Sequence, residues 1–210
     1  MLEGKYPRKR PLIRGDRFAA RWQCDWHAIL MEETTSKHFQ LLREMVPKAA
    51  RVAFLWNAPA KKQLESADVA ARKLGVRLLS LEVNTADALP YAFDAAAKGG
   101  ADALMVALTA FTFGLRAQIT ALALKHRLPS IYGLPAGAVA GALMSYGPYD
   151  TEYYRQAAVF VDKILNGAKP GDLPVEQAMR FDLVVNMRTA KALGITIPST
   201  FMVQASRVIE

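Results

Sequence analysis

"RVAFLWNAPAKKQLESADVAARKLGVRLLSLEV", residues 51–83, decides the fold. The run "RVAFLW" (51–56) is almost continuously apolar, the pattern of a strand buried on both faces. "NAPA" turns the chain, and Leu64, Ala67, Ala71 and Leu74 then recur on one helical face, with Gly75 as the terminator. "VRLLSLEV" (76–83) returns to a strand. Strand, helix and strand within this length is one βαβ unit, whose two strands are parallel and joined by a right-handed crossover.

The same rhythm continues downstream. "TADALPYAFDAAAKGG" (85–100) reads as a helix with Pro90 early in it, where a first turn tolerates proline. "ADALMVAL" (101–108) is a buried strand, "GLRAQITALALKHR" (114–127) an amphipathic helix and "LPSIYGL" (128–134) a further strand. Upstream, Thr34–Val46 reads as a helix. The expected fold class is therefore α/β: a Rossmann-like parallel sheet sandwich with helices on both faces.

After residue 134 the rhythm changes. "LPAGAVAGA" (134–142) is a short helix or turn of small residues, and "LMSYG" (143–147) a brief strand. "DTEYYRQAAVFVDKILNG" (150–167) is a helix capped by Asp150, with Tyr153, Ala157, Phe160, Val161 and Ile164 on its apolar face. "AKPGDLPVEQ" (168–177) is a Pro/Gly linker, "FDLVVN" (181–186) a strand and "MRTAKALG" (187–194) a short helix, followed by a tail.

Composition excludes several classes. The chain has 210 residues, 52% of them hydrophobic and 22% charged, as in a globular domain. No apolar run reaches the ~18 residues of a membrane span. Half of the net charge of +8 sits in residues 1–27; the remainder carries a mild surplus with no basic stripe, which argues against a nucleic-acid partner. The single cysteine, Cys24, allows no internal disulfide. "RWQCDWH" (21–27) sets it beside Asp25 and His27, but structural zinc takes four ligands in recurring pairs, and this stretch offers one pair, so no metal is expected. There is no G-x-G-x-x-G, P-loop, G-x-S-x-G or H-E-x-x-H, so neither a cofactor nor a catalytic constellation is implied and the chain reads as a non-enzyme.

Ligands of parallel α/β sheets bind beyond the carboxyl ends of the strands. Here those positions are Trp56–Pro59, Thr109–Phe113, Tyr132–Gly133 and Ser145–Gly147, which combine aromatic faces with amides and hydroxyls. They suit holding an uncharged or zwitterionic small molecule better than transforming it. Each aromatic reads equally well as a cap on the core.

"RVAFLWN", "ADALMVAL", "HRLPSIYG", "GALMSYGPYDTEYYRQAAVFVDKILNGAKPGDLPVEQ" and "FDLVVNMRTAKALGITIP" follow, in order and spacing, the second half of the periplasmic substrate-binding proteins of tryptophan/tyrosine-type ABC transporters. The chain resembles that family from about residue 29 onward. The resemblance implies a type I two-lobed fold with the ligand in an interlobe cleft, closed by hinge motion. It implies delivery of a small molecule, in some members an aromatic amino acid, to a membrane permease driven by an ATPase. It implies a periplasmic location, although the chain as written carries no signal peptide and would stay in the cytoplasm. Asn57, Thr109, Tyr132 and Tyr146 are the implied ligand-binding residues. The implied division is a non-family head at 1–27, a second lobe at 28–142, a strand, helix and linker of the first lobe at 143–177, and a return to the second lobe with the tail at 178–210. The strand 143–147 and helix 150–167 would thus be a remnant of the first lobe, on a different sheet. The rival readings are a ligand-sensing domain of a cytosolic regulator and a flavodoxin-like α/β enzyme.

The head departs from the family. Ala19–His27 can be encoded as GCG GCC CGG TGG CAA TGT GAC TGG CAT, which from its second base reads Arg-Pro-Gly-Gly-Asn-Val-Thr-Gly. Members of the family carry that glycine-rich stretch just before the helix here at Thr34–Val46. Residues 1–27 are therefore expected to be an out-of-frame translation, disordered, with most of the first lobe missing. The chain alone is expected to bind ligand weakly or not at all.

Overall fold

The computed structural model describes residues 34–148, 150–173 and 181–210. The Cys24 cluster and the expected disorder of the head lie outside these residues. So does most of the linker's second half.

Helix α1 covers 34–45 among the described residues. There follow β1 (Arg51–Trp56), α2 (Lys61–Lys73), β2 (Arg77–Glu82), α3 (Leu89–Lys98) and β3 (Ala103–Val106). Next come α4 (Ala110–Gly114), α5 (Arg116–Lys125), β4 (Ser130–Tyr132), α6 (Pro135–Val139), β5 (Met144–Pro148) and α7 (Asp150–Leu165). The chain closes with β6 (Phe181–Asn186), α8 (Met187–Leu193), α9 (Ser199–Gln204) and β7 (Arg207–Ile209). The strands form a seven-stranded sheet in the order β2-β1-β3-β4-β5-β6-β7, parallel throughout except for the antiparallel pair β5–β6.

The apolar run of β1 works as its sequence requires, because successive residues face opposite sides of the sheet. Val52 and Phe54 join a core with Phe39, Leu42 and Met45 of α1 and Ala67, Ala70 and Ala71 of α2. Ala53 and Leu55 join a second core with Phe93 and Ala96 of α3 and Ile119 and Ala123 of α5. Helices on both faces are what a strand without alternation demands. Gly75, just past α2, has φ +66° and so permits the left-handed stop at that helix end.

Two expectations are corrected. The strand 143–147 does not belong to another sheet: β5 pairs with β4 on one side and β6 on the other, so the chain leaves this sheet only after Pro148. A short strand's sequence encodes its burial but not its neighbour. The stretch Thr109–Phe113, read as a loop, is mostly the short helix α4. The tail, for which the sequence pattern predicts no elements, adds α9, whose Phe201 is buried in the first core, and β7, which extends the sheet beside β6.

Helix α7 behaves unlike the rest. Val159, Val161, Ile164 and Leu165 are exposed, so these apolar side chains of α7 lack cover among the described residues. No helix of the described residues is long and apolar enough to cross a membrane.

Candidate functional site

β1, β3, β4 and β5 are parallel, so their carboxyl ends share one edge, and β6 begins there because it runs antiparallel to β5. Strand order reverses between β1 and β3, since β2 lies outward of β1 and the later strands lie on the other side. Such a switch point splays the connecting loops and leaves a crevice.

All four expected site residues lie at this edge, but not as one cluster. Asn57 follows β1 and Thr109 follows the neighbouring β3, so both flank the switch point. Asn57 is buried, and its side-chain oxygen Oδ1 has no hydrogen-bond partner. The Thr109 hydroxyl is already engaged: it accepts from Thr112 N–H (3.2 Å) to cap α4, while Thr109 N–H donates to Thr112 Oγ1 (3.1 Å). This capping box makes Thr109 an architectural residue first. Gln63 pins the same loop, donating to the Leu108 carbonyl and accepting from its N–H, each at 2.9 Å.

Tyr132 and Tyr146 separate onto opposite faces. In register, Tyr132 is opposite Ser145, so Tyr146 lies one residue on and points the other way. Tyr132 packs in the α3/α5 core beneath α6, where a Cβ on Gly137 would lie 2.3 Å from the tyrosine's own Cβ and Cγ. Only glycine permits that approach. The Tyr132 hydroxyl is buried without a partner, as is the hydroxyl of Ser145 beside it in the sheet. Burial pushes the Tyr132 phenol above its ordinary range, and the positive charge of Arg116 partly offsets this.

Tyr146 packs on the other face, partly exposed. Its ring stacks on Phe181 of β6 at 5.4 Å between centroids, and His38 of α1 meets it edge-on at 6.1 Å. His38 Nε2 is 2.6 Å from the Tyr146 carbonyl oxygen. A carbonyl only accepts, so the proton resides on Nε2. Burial holds the imidazole down to about 4, against the opposing pull of that hydrogen bond. His38 is therefore neutral at pH 7 and fastens α1 to this edge. Gly147 lets the β5 exit touch the β4 exit, since a Cβ there would fall 1.7 Å from the Gly133 carbonyl oxygen.

Residue-type reasoning missed His38, Phe181 and Arg116. His38 lies 108 residues from Tyr146 in sequence, and no local spacing links them.

An edge with aromatic faces, unpartnered buried amide and hydroxyl groups and a neutral imidazole can hold a small solute. The sequence model of the family described as "ABC transporter substrate binding protein" matches residues 30–209. The chain belongs to this family.

Among relatives, it is similar to a tyrosine-binding protein of Clostridioides difficile (strain R20291), with 23% identity over 163 residues that make up 76% of this chain and 47% of that one. A conserved domain protein from Vibrio cholerae superposes with a TM-score of 0.78 at 25% identity, covering 83% of this chain and 60% of its own. An ABC domain from Streptococcus pneumonia, solved in complex with L-Trp, superposes with a TM-score of 0.75 at 21% identity, covering 86% and 62% respectively. These two structures share the mostly parallel, helix-flanked sheet. The chain spans about half the length of the curated relative and about 60% of the solved ones.

Proposed function

We propose that this member of the substrate-binding family captures a small solute for an ABC uptake transporter, with the carboxyl edge of its sheet as one wall of the binding cleft. The observation that carries the location is the set of buried, unpartnered polar atoms there: Asn57 Oδ1, the Tyr132 hydroxyl and the Ser145 hydroxyl. A buried polar group without a partner costs roughly 1–3 kcal/mol, a cost a solute returns when it supplies the missing hydrogen bond. Asn57, Thr109, Tyr132 and Tyr146 remain the residues of the proposed site, Thr109 by shaping the loop, because its hydroxyl and its backbone groups are taken up by the start of α4. The proposed solute class is an aromatic amino acid, in keeping with the tyrosine- and tryptophan-related names of the two relatives. The proposed partner is an ABC permease in the membrane, with no cofactor, nucleic acid or chemical turnover.

The exposed apolar side of α7 supports the second element of the reading. The chain leaves the sheet after Pro148 and re-enters at Phe181, and α7 between them packs on an opposing lobe. Hinge closure of that lobe over the solute is favoured by the contacts the solute makes only in the closed state. The lobe described here then contributes half of the contacts, and binding by the 210-residue chain alone is weak.

Ligand-observed NMR with L-tryptophan and L-tyrosine tests this. The expected result is saturable binding in the millimolar range that Asn57→Ala and Tyr146→Ala each weaken several-fold. Absence of saturable binding, or binding indifferent to both substitutions, would contradict the proposal.

A further inference from the structure

At the carboxyl end of β5 the sheet runs out of strands before the chain leaves it. Hydrogen-bonded and non-bonded pairs alternate along an antiparallel ladder. Asn186 N–H donates to the Leu143 carbonyl (2.9 Å), so Ser145–Val184 and Gly147–Asp182 are the next bonded pairs and Tyr146–Leu183 falls between them. Leu183 accordingly turns its carbonyl away from β5, where it accepts from Ser206 N–H (2.9 Å). By the same alternation the backbone groups of Tyr146 face away from β6, towards β4. But β4 ends at Tyr132, which pairs with Ser145, one residue short of Tyr146. The Tyr146 carbonyl faces the place where its neighbouring strand has stopped.

His38 fills that place from outside the sheet. Its Nε2 lies 2.6 Å from the Tyr146 carbonyl oxygen, and its Cε1 would lie 3.9 Å from a Cβ on Gly133, so the imidazole packs against the exits of both strands. Its α1 neighbours Phe39, Leu41 and Leu42 are buried in the first core, so the donor rides on a fixed helix. The Tyr146 ring, met edge-on by His38, stacks on Phe181 with the planes 18° apart. Phe181 in turn pairs with Pro148 at the last rung of the ladder. Those two residues are where the chain re-enters and leaves the sheet around α7. One imidazole and one aromatic stack thus fasten the exit strand both to α1 and to the re-entry strand.

We propose that His38 is the positioning residue of this crossing: it keeps the β5–β6 ladder closed up to Pro148 and Phe181, so that movement of α7 relative to the sheet pivots at that last pair and not within the ladder. Hinges are a few element-terminal residues that absorb the change in backbone angles, set against rigid structure. Without the imidazole the Tyr146 carbonyl loses its partner, and Gly147, which has no side chain to pack, becomes the weakest rung. Bending then spreads back into the strand. The inference rests on the opposing-lobe reading above for what the movement serves, and goes beyond it by placing the pivot and naming the residue that fixes it.

Amide hydrogen exchange of the full chain, at neutral pH and without solute, tests this. In His38→Ala, exchange at the Gly147 and Asp182 amides is expected to quicken at least about ten-fold, while Phe54, Leu55 and Val106 in the middle of the sheet stay within about two-fold. His38→Gln keeps a donor for the Tyr146 carbonyl and should hold the same two amides within about three-fold of the unaltered chain. Phe181→Leu removes the stack but leaves the imidazole; it should quicken both amides about three-fold or more, and it decides the matter if His38→Ala does not fold. Equal quickening at Gly147 and at Phe54 and Leu55 would make His38 a general stabiliser and overturn the pivot. So would His38→Gln behaving like His38→Ala, or Phe181→Leu leaving both amides unchanged. No solute is present, so these outcomes bear on the pivot alone, whereas a failure of L-tryptophan and L-tyrosine to bind falls on the solute reading.

Discussion

The two ends of the sheet treat their polar groups differently. At the amino end, Asp102 closes the start of β1: its Oδ2 accepts from the N–H groups of Ala50 (3.0 Å) and Arg51 (2.8 Å), with the Arg51 guanidinium nearby at 3.9 Å. At the carboxyl end, the side chains of Asn57, Tyr132 and Ser145 are buried with atoms left unpartnered. The carboxyl end also has side chains that bond the fold, Gln63 and His38 among them, but it alone of the two combines these with the unpartnered atoms just named. Native proteins satisfy nearly all buried polar groups, so the exceptions gathered at this edge are what supports placing the proposed solute site there.

The comparison can be broken or sharpened by perturbing each end in turn. The largest effect is expected from pH, acting on His38, which donates to a backbone carbonyl at the carboxyl end. His38 has an ordinary value of 6.5 unfolded and about 4 folded. Above pH 6.5 it is neutral in both states and contributes no pH dependence. As pH falls from 6.5 towards 4 the unfolded chain takes up a proton that the fold refuses, so stability is lost at about 1.4 kcal/mol per unit, on the order of 3 kcal/mol in all. Below about 4 the loss levels off. Urea unfolding at pH 7 and pH 4.5 reads this directly, and His38→Gln, which keeps a donor for the Tyr146 carbonyl, should flatten most of the window. An unchanged slope in that variant would show that α1 is not fastened through His38.

Next in size is Asp102→Ala at the amino end. It leaves two amides without their acceptor and should cost roughly 1–2 kcal/mol, seen as a lower urea midpoint at unchanged slope. The smallest effect belongs to Ser145→Ala. Although Ser145 is completely buried, its hydroxyl has nothing to lose, and the change should stay within about 0.5 kcal/mol or be slightly stabilising. If Ser145→Ala cost as much as Asp102→Ala, the contrast between the two ends would collapse.

Much of the fold is legible in residue patterns because β1, β3 and β4 are buried on both faces and punctuated by proline and glycine. The limits of α2, α3 and α5 follow from apolar spacing and terminators such as Gly75. Pairing is less legible. "LMSYG" is readable as a strand, but its membership of this sheet depends on contacts with Ile131, Tyr132 and Leu183–Val185, which no local pattern encodes. β7 is three residues at an edge, too short to show alternation. The site divides in the same way. Asn57, Thr109, Tyr132 and Tyr146 are recognisable as strand-end residues. That Thr109 spends its hydroxyl on a helix cap, and that the two tyrosines face opposite sides, follows only from a capping geometry and a one-residue register.

The contrast between α5 and α7 carries a related lesson. Both have an apolar side, yet Ile119 and Ala123 of α5 are fully covered, while Val161 and Leu165 of α7 are 55% and 81% exposed. An amphipathic pattern announces that a partner surface exists without saying where it is.

The most direct test of the central claim is a map of backbone amide shifts on titrating the chain with L-tryptophan. The account predicts concentration-dependent shifts confined to the carboxyl edge: residues 56–58, 108–116, 132–134 and 145–148, with the amino end around Asp102 and the whole of α7 unmoved. Shifts centred on the amino end or on α7, or none at any soluble concentration of this probe and of L-tyrosine, would contradict it.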